Sequence, residues 1–367
     1  MIVLSCIFIV SFFILLLFYL LVFSRFAWRA PSNHRIEESL HQPPVSVIIC
    51  AKNEAKHLQE FLPAILEQDY PGFEVLVVND RSTDGSQFWL ENFSKQHPRL
   101  RVIENSDDSL PGKRNALKKG MEAARHQVIL LTDADCKPAS AQWILHMMSV
   151  LQNEKEIVLG FSPPFPQKGL LQQFIRYENF ITALYYFSFS LAKMPYMGVG
   201  RNLLYHVPVR TNIGALEHHS GLISGDDDLT VNKIATGRNT TLMIHPKSHV
   251  FTVSPGSFRA FLHQKRRHSA AGFHYQPGHQ LVLGAWYASQ IIFNLSFFTL
   301  LFSGFMLLPA LLIFLAKNIF QTVIYGKAMR KLNVHNLWIF TPVFDLCLSL
   351  FFLTLGGLSL FKPKTWK

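Results

Sequence analysis

Cysteine is scarce in this sequence, and the few cysteines form no recognisable pattern. Four of the 367 residues are cysteine. Cys6 and Cys347 stand in apolar segments, whereas Cys50 and Cys136 follow apolar runs typical of buried strands. Their spacing matches neither a zinc site nor a disulfide framework, which excludes a zinc module and a disulfide-rich secreted domain. Internal repeats and low-complexity tracts are also absent, and unpaired thiols are typical of a reducing cytosol.

Charge is missing from three long stretches of the chain. Met1–Ser24 has no charged residue and consists mostly of Ile, Leu, Val and Phe. Gln280–Ala316 is a second uncharged stretch of 37 residues, and Leu337–Phe361 is interrupted only by Asp345. Because one helical crossing of a bilayer needs about 20 residues, the second stretch predicts a hairpin of two crossings. The sequence therefore predicts an integral membrane protein.

Basic residues beside these stretches predict an orientation. Residues 1–24 lack a basic start and a small-residue cleavage site before Arg25, so they predict an uncleaved anchor rather than a signal peptide. Arg25, Arg29 and Lys331 place the intervening domain in the cytoplasm by the positive-inside rule, and we expect a bacterial cytoplasmic membrane. Three later crossings would carry the C-terminal lysines outside, against this rule. A re-entrant or interfacial last segment is therefore an alternative to a third crossing.

The net charge of +11 and the sequence pI near 9.5 admit a nucleic-acid partner in principle. The basic residues, however, cluster beside apolar segments, as in the run 265–267. Attraction to anionic lipid head groups and to a phosphorylated substrate explains this placement more simply. We therefore expect a membrane partner and no nucleic acid.

Between the membrane segments, runs typical of strands alternate with amphipathic runs typical of helices. This alternation predicts an α/β fold, with a mostly parallel sheet covered by helices on both faces. The predicted strands are Val45–Cys50, Phe73–Val78, Leu100–Glu104, Val128–Leu131 and Ile157–Phe161. The predicted helices are Glu54–Gln68, Ser82–Gln96, Lys113–Ala124, Ala141–Gln152, Leu170–Lys193 and Ser257–Ala271.

The expected organisation has five parts: an anchor at 1–24, a linker at 25–42, the α/β domain at 43–256, an interfacial amphipathic segment at 257–279 and a membrane region of about three apolar segments at 280–367. The aromatic helix Leu170–Lys193 has two interpretations. It lines an acceptor site near the bilayer, or it packs as core, and we favour core contacts for most of its aromatic residues.

Two carboxylates directly follow a predicted buried strand. Asp133 and Asp135 end the run Val128–Cys136, and strand ends are where open α/β sheets bind ligands. Two such oxygen ligands suit Mg²⁺ or Mn²⁺, whose remaining positions phosphate oxygens and water can fill. An ordinary solvated acidic turn has the same pattern.

Polar residues also follow the first two strands. Asp80 can accept hydrogen bonds from a base or ribose, whereas Ser82 and Asp84 fit a helix-capping turn. Lys52 and Glu54 stand at the matching edge of the first strand.

Two helix starts and one helix face complete the candidate site. Lys113, after Pro111 and Gly112, opens a helix whose amides and cations favour phosphate, although a solvated basic cap has the same pattern. Asp226, Asp227 and Asp228 are clustered acids that repel one another, which raises a pKa and suits a general base; a surface acidic turn is the alternative.

The polar face of the helix at 257–271 carries Gln264, Arg267 and His268 at i, i+3 and i+4. Arg267 would meet diphosphate oxygens, while the apolar face (Phe258, Phe261) would lie on the membrane surface. The alternative is an ordinary amphipathic helix whose basic residues contact lipid.

Taken in order, these motifs resemble the family 2 glycosyltransferases of the GT-A fold class, in particular their membrane-attached branch. The resemblance covers about residues 43–270. The matching segments are Val45–Glu54, Val78–Gly85, Thr132–Asp135, Asp226–Asp228 and Gln264–His268. It implies sugar transfer from a nucleotide donor, with inversion at the anomeric carbon and help from Mg²⁺ or Mn²⁺. We expect the donor to be UDP-linked.

The resemblance also implies residue roles. Asp80 would bind the nucleotide, and Asp133 and Asp135 would hold ribose, diphosphate and metal. The base would be Asp226 by the register of Leu229, or Asp227 by a Gly-Asp-Asp register. The loop with Gly200, Arg201 and Asn202 sits where relatives place a Gly-Asn loop beside sugar and acceptor.

The expected function is therefore sugar transfer to a hydroxyl of a lipid or another membrane-borne acceptor. His268 replaces the Trp of polymerising synthases, which disfavours a processive polysaccharide synthase without excluding it. A nucleotidyltransferase would normally have a Gly-rich loop where Ala51–Glu54 stands, and a non-catalytic scaffold would lose the acids that this chain retains.

Overall fold

Four neighbouring strands of the sheet run parallel to one another. The computed structural model describes residues 1–30, 42–106, 113–152, 154–206 and 226–359, with side chains throughout except at 226 and 356–359. Strand β1 (Val45–Ala51) lies between β2 (Phe73–Asn79) and β4 (Val128–Asp133), and β2 pairs with β3 (Leu100–Glu104), all in parallel. The predicted mostly parallel sheet is confirmed.

The sheet continues beyond β4 through shorter strands. In the described part of the chain the order is β3-β2-β1-β4-β7-β6-β8, with β6 (Ile157–Leu159), β7 (Leu203–His206) and β8 (Thr240–Leu242). Strand β7 is antiparallel to both β4 and β6, whereas β8 is parallel to β6. Because β7 runs in the opposite direction, its first residue pairs with Leu131, near the carboxyl end of β4. The loop before β7 therefore reaches the ligand-binding edge of the sheet. A separate two-stranded sheet joins β5 (Cys136–Pro138) to β9 (Val250–Thr252).

Helices cover both faces of the sheet, as predicted, because β-strand side chains alternate between faces. Val47 of β1 belongs to one hydrophobic cluster, and its neighbour Ile48 belongs to the other. The helices of this domain are α2 (Ala55–Leu66), α3 (Ser86–Ser94), α4 (Lys113–Ala123), α5 (Trp143–Met148), α6 (Leu170–Leu191), α7 (Asp226–Ile234) and α8 (Phe258–Ser269). Helix α3 begins four residues later than predicted, because Gly85 at φ 87° is in the left-handed region.

Among the described residues, four helices are long and apolar enough to cross a membrane. They are α1 (Ile2–Ala27), α9 (Pro277–Ser303), α10 (Leu307–Lys331) and α11 (Thr341–Ser359), the last preceded by a 3₁₀ turn (His335–Phe340). Helix α1 packs along α9, where Phe8 stacks on Phe293 with ring centroids 4.8 Å apart.

The hairpin predicted within Gln280–Ala316 exists, but its second helix is longer than the uncharged stretch indicated. Helix α10 continues through Lys317, whose ammonium lies 2.9 Å from the Asp345 carboxylate of α11 and donates to Gln321 at 2.6 Å. A charge buried among apolar helices needs such a partner. The ion pair therefore lets the helix run on to Lys331.

The predicted contact of helix α8 with the membrane surface stays a prediction, because Phe258 is exposed while Phe261 packs inside the protein. Phe261 is fully buried and stacks on Phe351 of α11 with ring centroids 5.3 Å apart. Phe174 of α6 packs against the edge of the same ring. The part of the apolar face of α8 around Phe261 therefore packs against protein helices, whereas Phe258 is 52% exposed.

Candidate functional site

A cavity of about 630 Å³ lies between the carboxyl edge of the sheet and the membrane helices. Its polar wall brings together most of the residues that the sequence selected. These are Lys52, Glu54, Lys113, Asp133, Asp135, Gly200, Arg201, Asp227, Gln264, Arg267 and His268. Asp228, which the sequence placed in the acidic cluster, lines it as well. Such a cavity, with convergent polar groups, is the usual form of a small-molecule site.

Lys113 joins two acids from different parts of the chain. Its ammonium donates to Asp133 Oδ1 at 2.7 Å and lies 3.6 Å from Asp227 Oδ2. Asp133 ends β4, Lys113 begins α4, and Asp227 belongs to the first turn of α7. The parallel sheet and its helices thus assemble three charges that are 20 and 94 positions apart in sequence.

Burial and charge act in opposite directions on these groups. Burial alone would lower the pKa of Lys113, but the Asp133 and Asp227 carboxylates hold that pKa well above its usual range. Burial raises the pKa of Asp133, and the Lys113 ammonium more than reverses this effect. Asp227 has a raised pKa because burial outweighs the same ammonium. Burial and the neighbouring Asp227 charge raise the pKa of Asp228 to about 8.

Asp135 faces the cavity in a different environment. Its carboxylate accepts a long contact of 3.5 Å from the Cys136 thiol. Burial and the nearby Asp133 charge raise its pKa, because both disfavour a second negative charge. A divalent cation would remove that penalty, so this pair of carboxylates fits Mg²⁺ or Mn²⁺. No group of three His, Cys, Asp or Glu side chains able to hold a metal occurs in the described ranges, so donor oxygens and water would complete the shell.

Glycine at position 200 is required for the approach of Asp227. A Cβ atom built on Gly200 would lie 1.8 Å from Asp227 Oδ2 and 2.4 Å from its Cγ. No side chain fits in that space. Gly200 and Arg201 thus form one wall of the site, next to the carboxylate that we consider as a base.

Asn202 is not part of the cavity lining, and the acceptor-side role expected for it stays a prediction without support from exposure to this cavity. Its side chain is fully buried, and its amide nitrogen donates to the carbonyls of Phe161 and Ser248 at 2.9 and 2.8 Å. Its amide oxygen accepts from Trp143 Nε1 at 3.0 Å. All these bonds join the sheet to its covering elements, so the amide holds the fold together behind the Gly200 loop.

Helix α8 contributes the opposite wall. Its N-terminus is capped by Ser257, whose hydroxyl accepts from the Ala260 amide at 3.3 Å. Burial lowers the pKa of Arg267, and the Asp133 charge opposes this shift. His268 has a pKa well below its usual value because it is buried and then because Lys265 and other cations surround it. His268 is therefore a neutral imidazole at neutral pH.

The donor-side residues separate into two groups. Lys52 and Glu54 line the cavity, and Glu54 lies 2.5 Å from His57 Nδ1. Asp80 lies outside the lining, fully buried, where it accepts from Asn105 Nδ2 at 2.8 Å and from Arg81 Nε at 3.0 Å. Its nucleotide-binding role stays a prediction, without support from direct exposure to this cavity.

Ser82 and Asp84 bond to backbone amides of the turns, as a structural turn predicts, although neither is the N-cap residue of a helix. Asp84 accepts from the amides of Ala55 and Ser86 at 2.8 and 3.1 Å, and Ser82 accepts from the Asn53 amide at 2.9 Å. These bonds tie the turns after β1 and β2 to each other. Pro111, Gly112 and the side chain of Asp226 lie outside the described residues, so the phosphate loop and the Asp226 alternative stay predictions.

The sequence admitted helix α6 as the lining of an acceptor site, but it did not single out the polar residues with which α6 lines the cavity. Helix α6 contributes Glu178, Asn179, Thr182 and Tyr185, although most of its other aromatic residues are core, as favoured. Glu178 forms an ion pair with Lys265 of α8. The presence of the charged Glu178 in an otherwise aromatic helix was the available signal in the sequence. Its partner Lys265 lies 87 positions later, so the pattern could not predict the ion pair.

Comparison with known proteins agrees with this architecture. Residues 46–212 match the model of glycosyl transferase family 2. The chain is 29% identical over 127 residues to a beta-monoglucosyldiacylglycerol synthase of Nostoc sp., covering 34% of this chain and 27% of that protein. It is 30% identical over 189 residues to the glycosyltransferase AglE of Haloferax volcanii, covering 50% and 59%. The chain thus spans about a quarter to three fifths of these relatives.

A solved structure extends the likeness to nearly the whole chain. The mannosyltransferase PcManGT from Pyrobaculum calidifontis, in complex with GDP-Man and Mn²⁺, superposes with a TM-score of 0.61. The two share 21% identity over 94% of this chain and 99% of that one, which is a likeness of fold. The protein has the GT-A fold, with apolar helices at both ends. It carries a family 2 glycosyltransferase domain, which confirms the predicted family.

Proposed function

We propose that this protein is a membrane-bound, inverting glycosyltransferase that moves a sugar from a nucleotide-sugar donor to a hydroxyl of a lipid or another membrane-borne acceptor. One observation carries the proposal. The cavity that contains Asp133, Asp135 and Asp227 at the sheet edge also reaches Tyr287 and Phe352 on the membrane helices. Donor chemistry and a membrane-borne acceptor can therefore meet in one site.

The donor end fits a diphosphate. Lys113 and Arg267 bring positive charge to the cavity beside Asp133, and Arg presents a planar fork that matches phosphate oxygens. Asp133 and Asp135 would hold Mg²⁺ or Mn²⁺, which when bound would neutralise the departing nucleoside diphosphate. The likeness of fold to a mannosyltransferase that contains GDP-Man and Mn²⁺ supports this assignment.

Asp227 is the proposed base. Its pKa is raised, which suits proton removal near neutral pH, because a general base is most effective when its pKa is close to the working pH. Its carboxylate takes the acceptor hydroxyl proton, and that oxygen attacks the anomeric carbon as the bond to the diphosphate breaks. The diphosphate leaves with the bonding electrons. Attack on the face opposite the leaving group inverts the configuration.

The membrane helices support a cytoplasmic site. Lys327 lies 4.4 Å from the centroid of the Trp28 ring, and the ammonium of Lys331 donates to the Arg29 carbonyl. The basic ends of α1 and α10 thus meet on one side of the molecule. By the positive-inside rule that side faces the cytoplasm.

A panel of labelled nucleotide sugars, including UDP- and GDP-linked ones, tests the activity in membranes that contain the protein. We expect label in the lipid extract and small products, whereas a processive synthase would release long ones. Asp135→Ala should abolish cation-dependent transfer, and Asp69→Asn, at an exposed site, should behave as the native protein. Cation-dependent transfer retained by Asp135→Ala would overturn the metal assignment.

A further inference from the structure

The cavity changes from polar to apolar along its length. At the sheet edge it is lined by carboxylates and cations, and between the membrane helices by Tyr287 and Ile291 of α9 and by Phe352 and Leu355 of α11. Thr182 of α6 lies on the wall of the same cavity. This gradient matches an amphiphile, with a polar head and an apolar body.

One face of α9 forms the apolar wall. Gln280, Leu283, Tyr287 and Ile291 follow one another at three- or four-residue intervals, so they share a face of the helix. The eleven residue steps from Gln280 to Ile291 correspond to a depth of about 16 Å along the helix axis. The cavity therefore extends well below the end of α9 that is next to the sheet domain.

The cavity opens sideways at Gly284. This glycine lines the cavity and is also exposed on the surface of α9. A Cβ atom built there would meet no atom within 4 Å apart from the backbone of its own helix. Since the outer surface of a membrane helix faces lipid, the gap at Gly284 connects the bilayer with the site.

Charges along this route favour an uncharged head group. Glu178 and Lys265 neutralise each other in an ion pair on the cavity wall. Beyond them the head would reach Asp227, the proposed base, whose task is to take the proton of an alcohol hydroxyl. A lipid phosphate is already anionic and needs no base, whereas an alcohol does.

We propose that the acceptor is a lipid with an uncharged hydroxyl head group, which enters from the bilayer through a lateral opening at Gly284 of α9. The inference rests on the proposed function for its acceptor role. The opening itself can be tested without sugar transfer.

The experiment uses the full chain in phospholipid vesicles with a diacylglycerol that carries a diazirine in its acyl chain. Light should attach the probe to α9 and α11, near Ile291 and Phe352. The series Gly284→Ala, Gly284→Leu and Gly284→Trp should reduce this labelling progressively, by tenfold or more at Trp. Gly326→Leu is the matched control, because Gly326 lies in α10, away from the cavity lining, and also has no atom within 4 Å of a built Cβ.

Binding of the nucleotide sugar, measured by calorimetry, should stay within twofold in every variant. Equal labelling of Gly284→Trp and the native protein, or labelling confined to α1 and α10, would overturn the opening. A polyprenyl phosphate in tenfold excess should not reduce labelling, and effective competition would overturn the uncharged head group. Labelling as expected without sugar transfer from any donor would leave the opening in place and reject the proposed function. Sugar transfer without labelling of α9 and α11 would reject the opening and leave the proposed function in place.

Discussion

Replacing Gly200 with alanine should disable the proposed base without unfolding the protein. The new Cβ would lie 1.8 Å from Asp227 Oδ2, whereas ordinary van der Waals contact begins near 3.4 Å. The carboxylate or the loop must therefore shift by roughly 1.5 Å. Because a misplacement of about 1 Å in a reacting group can cost about 100-fold, we expect kcat to fall by about 100-fold or more.

The assay is transfer of labelled sugar into lipid by Gly200→Ala protein in vesicles, together with calorimetric titration of the nucleotide sugar. Donor affinity should change by no more than a few-fold, since Lys113 and Arg267 keep their places. Gly256→Ala is the control, because Gly256 is exposed and its built Cβ meets no atom within 4 Å. If Gly200→Ala turned over within threefold of the control at unchanged thermal stability, Asp227 would not need its observed position.

Three further predictions concern stability. Either Lys317→Ala or Asp345→Ala should destabilise the protein by about 3–5 kcal/mol, because each leaves a buried charge unpaired, whereas Lys317→Met with Asp345→Leu should cost much less; thermal unfolding in detergent checks this cycle. The pKa of Asp228 is higher in the folded protein, so its contribution to stability is lost as pH rises from about 4 through about 8. At pH 9 the free energy of unfolding of Asp228→Asn should therefore exceed that of the native protein by roughly 1–2 kcal/mol, after allowance for partial exposure. At pH 4 the two proteins should be equally stable. Asn202→Ala should destabilise by about 1–3 kcal/mol, because Trp143 Nε1 and two carbonyls lose their partner, and a stable variant defective only in acceptor use would contradict the structural role.

The central strands could be predicted because each is long and fully buried. β1 and β2 are seven-residue runs buried at every position, and such runs flanked by amphipathic helices indicate a parallel sheet. The strand predicted at Ile157–Phe161 is also present, as the shorter β6 (Ile157–Leu159). Strands β7 and β8 were not predicted, because four and three residues are too few for a periodic pattern to identify.

The candidate site also contains residues that could be predicted from the sequence and residues that could not. Strand ends and helix starts are local features, so Asp133, Asp135 and Lys113 could be selected from sequence. The predicted membrane stretch ended before Lys317, because this residue is charged. Its partner Asp345 lies 28 positions away, and only the packing of the helices brings the two together. The burial of Asn202 could not be predicted, because an asparagine that bonds within the fold and one that binds a substrate look the same in the sequence.

The most direct test of the proposed activity is label transfer by Asp227→Asn. This substitution keeps the shape of the side chain and removes its capacity to take a proton. In vesicles supplied with labelled nucleotide sugar and Mg²⁺ or Mn²⁺, the native protein and Asp69→Asn should place label in the lipid extract. Asp227→Asn should transfer at least 100-fold more slowly while binding the donor normally. Equal lipid labelling by Asp227→Asn, or no labelling by the native protein with any donor of the panel, would contradict the account.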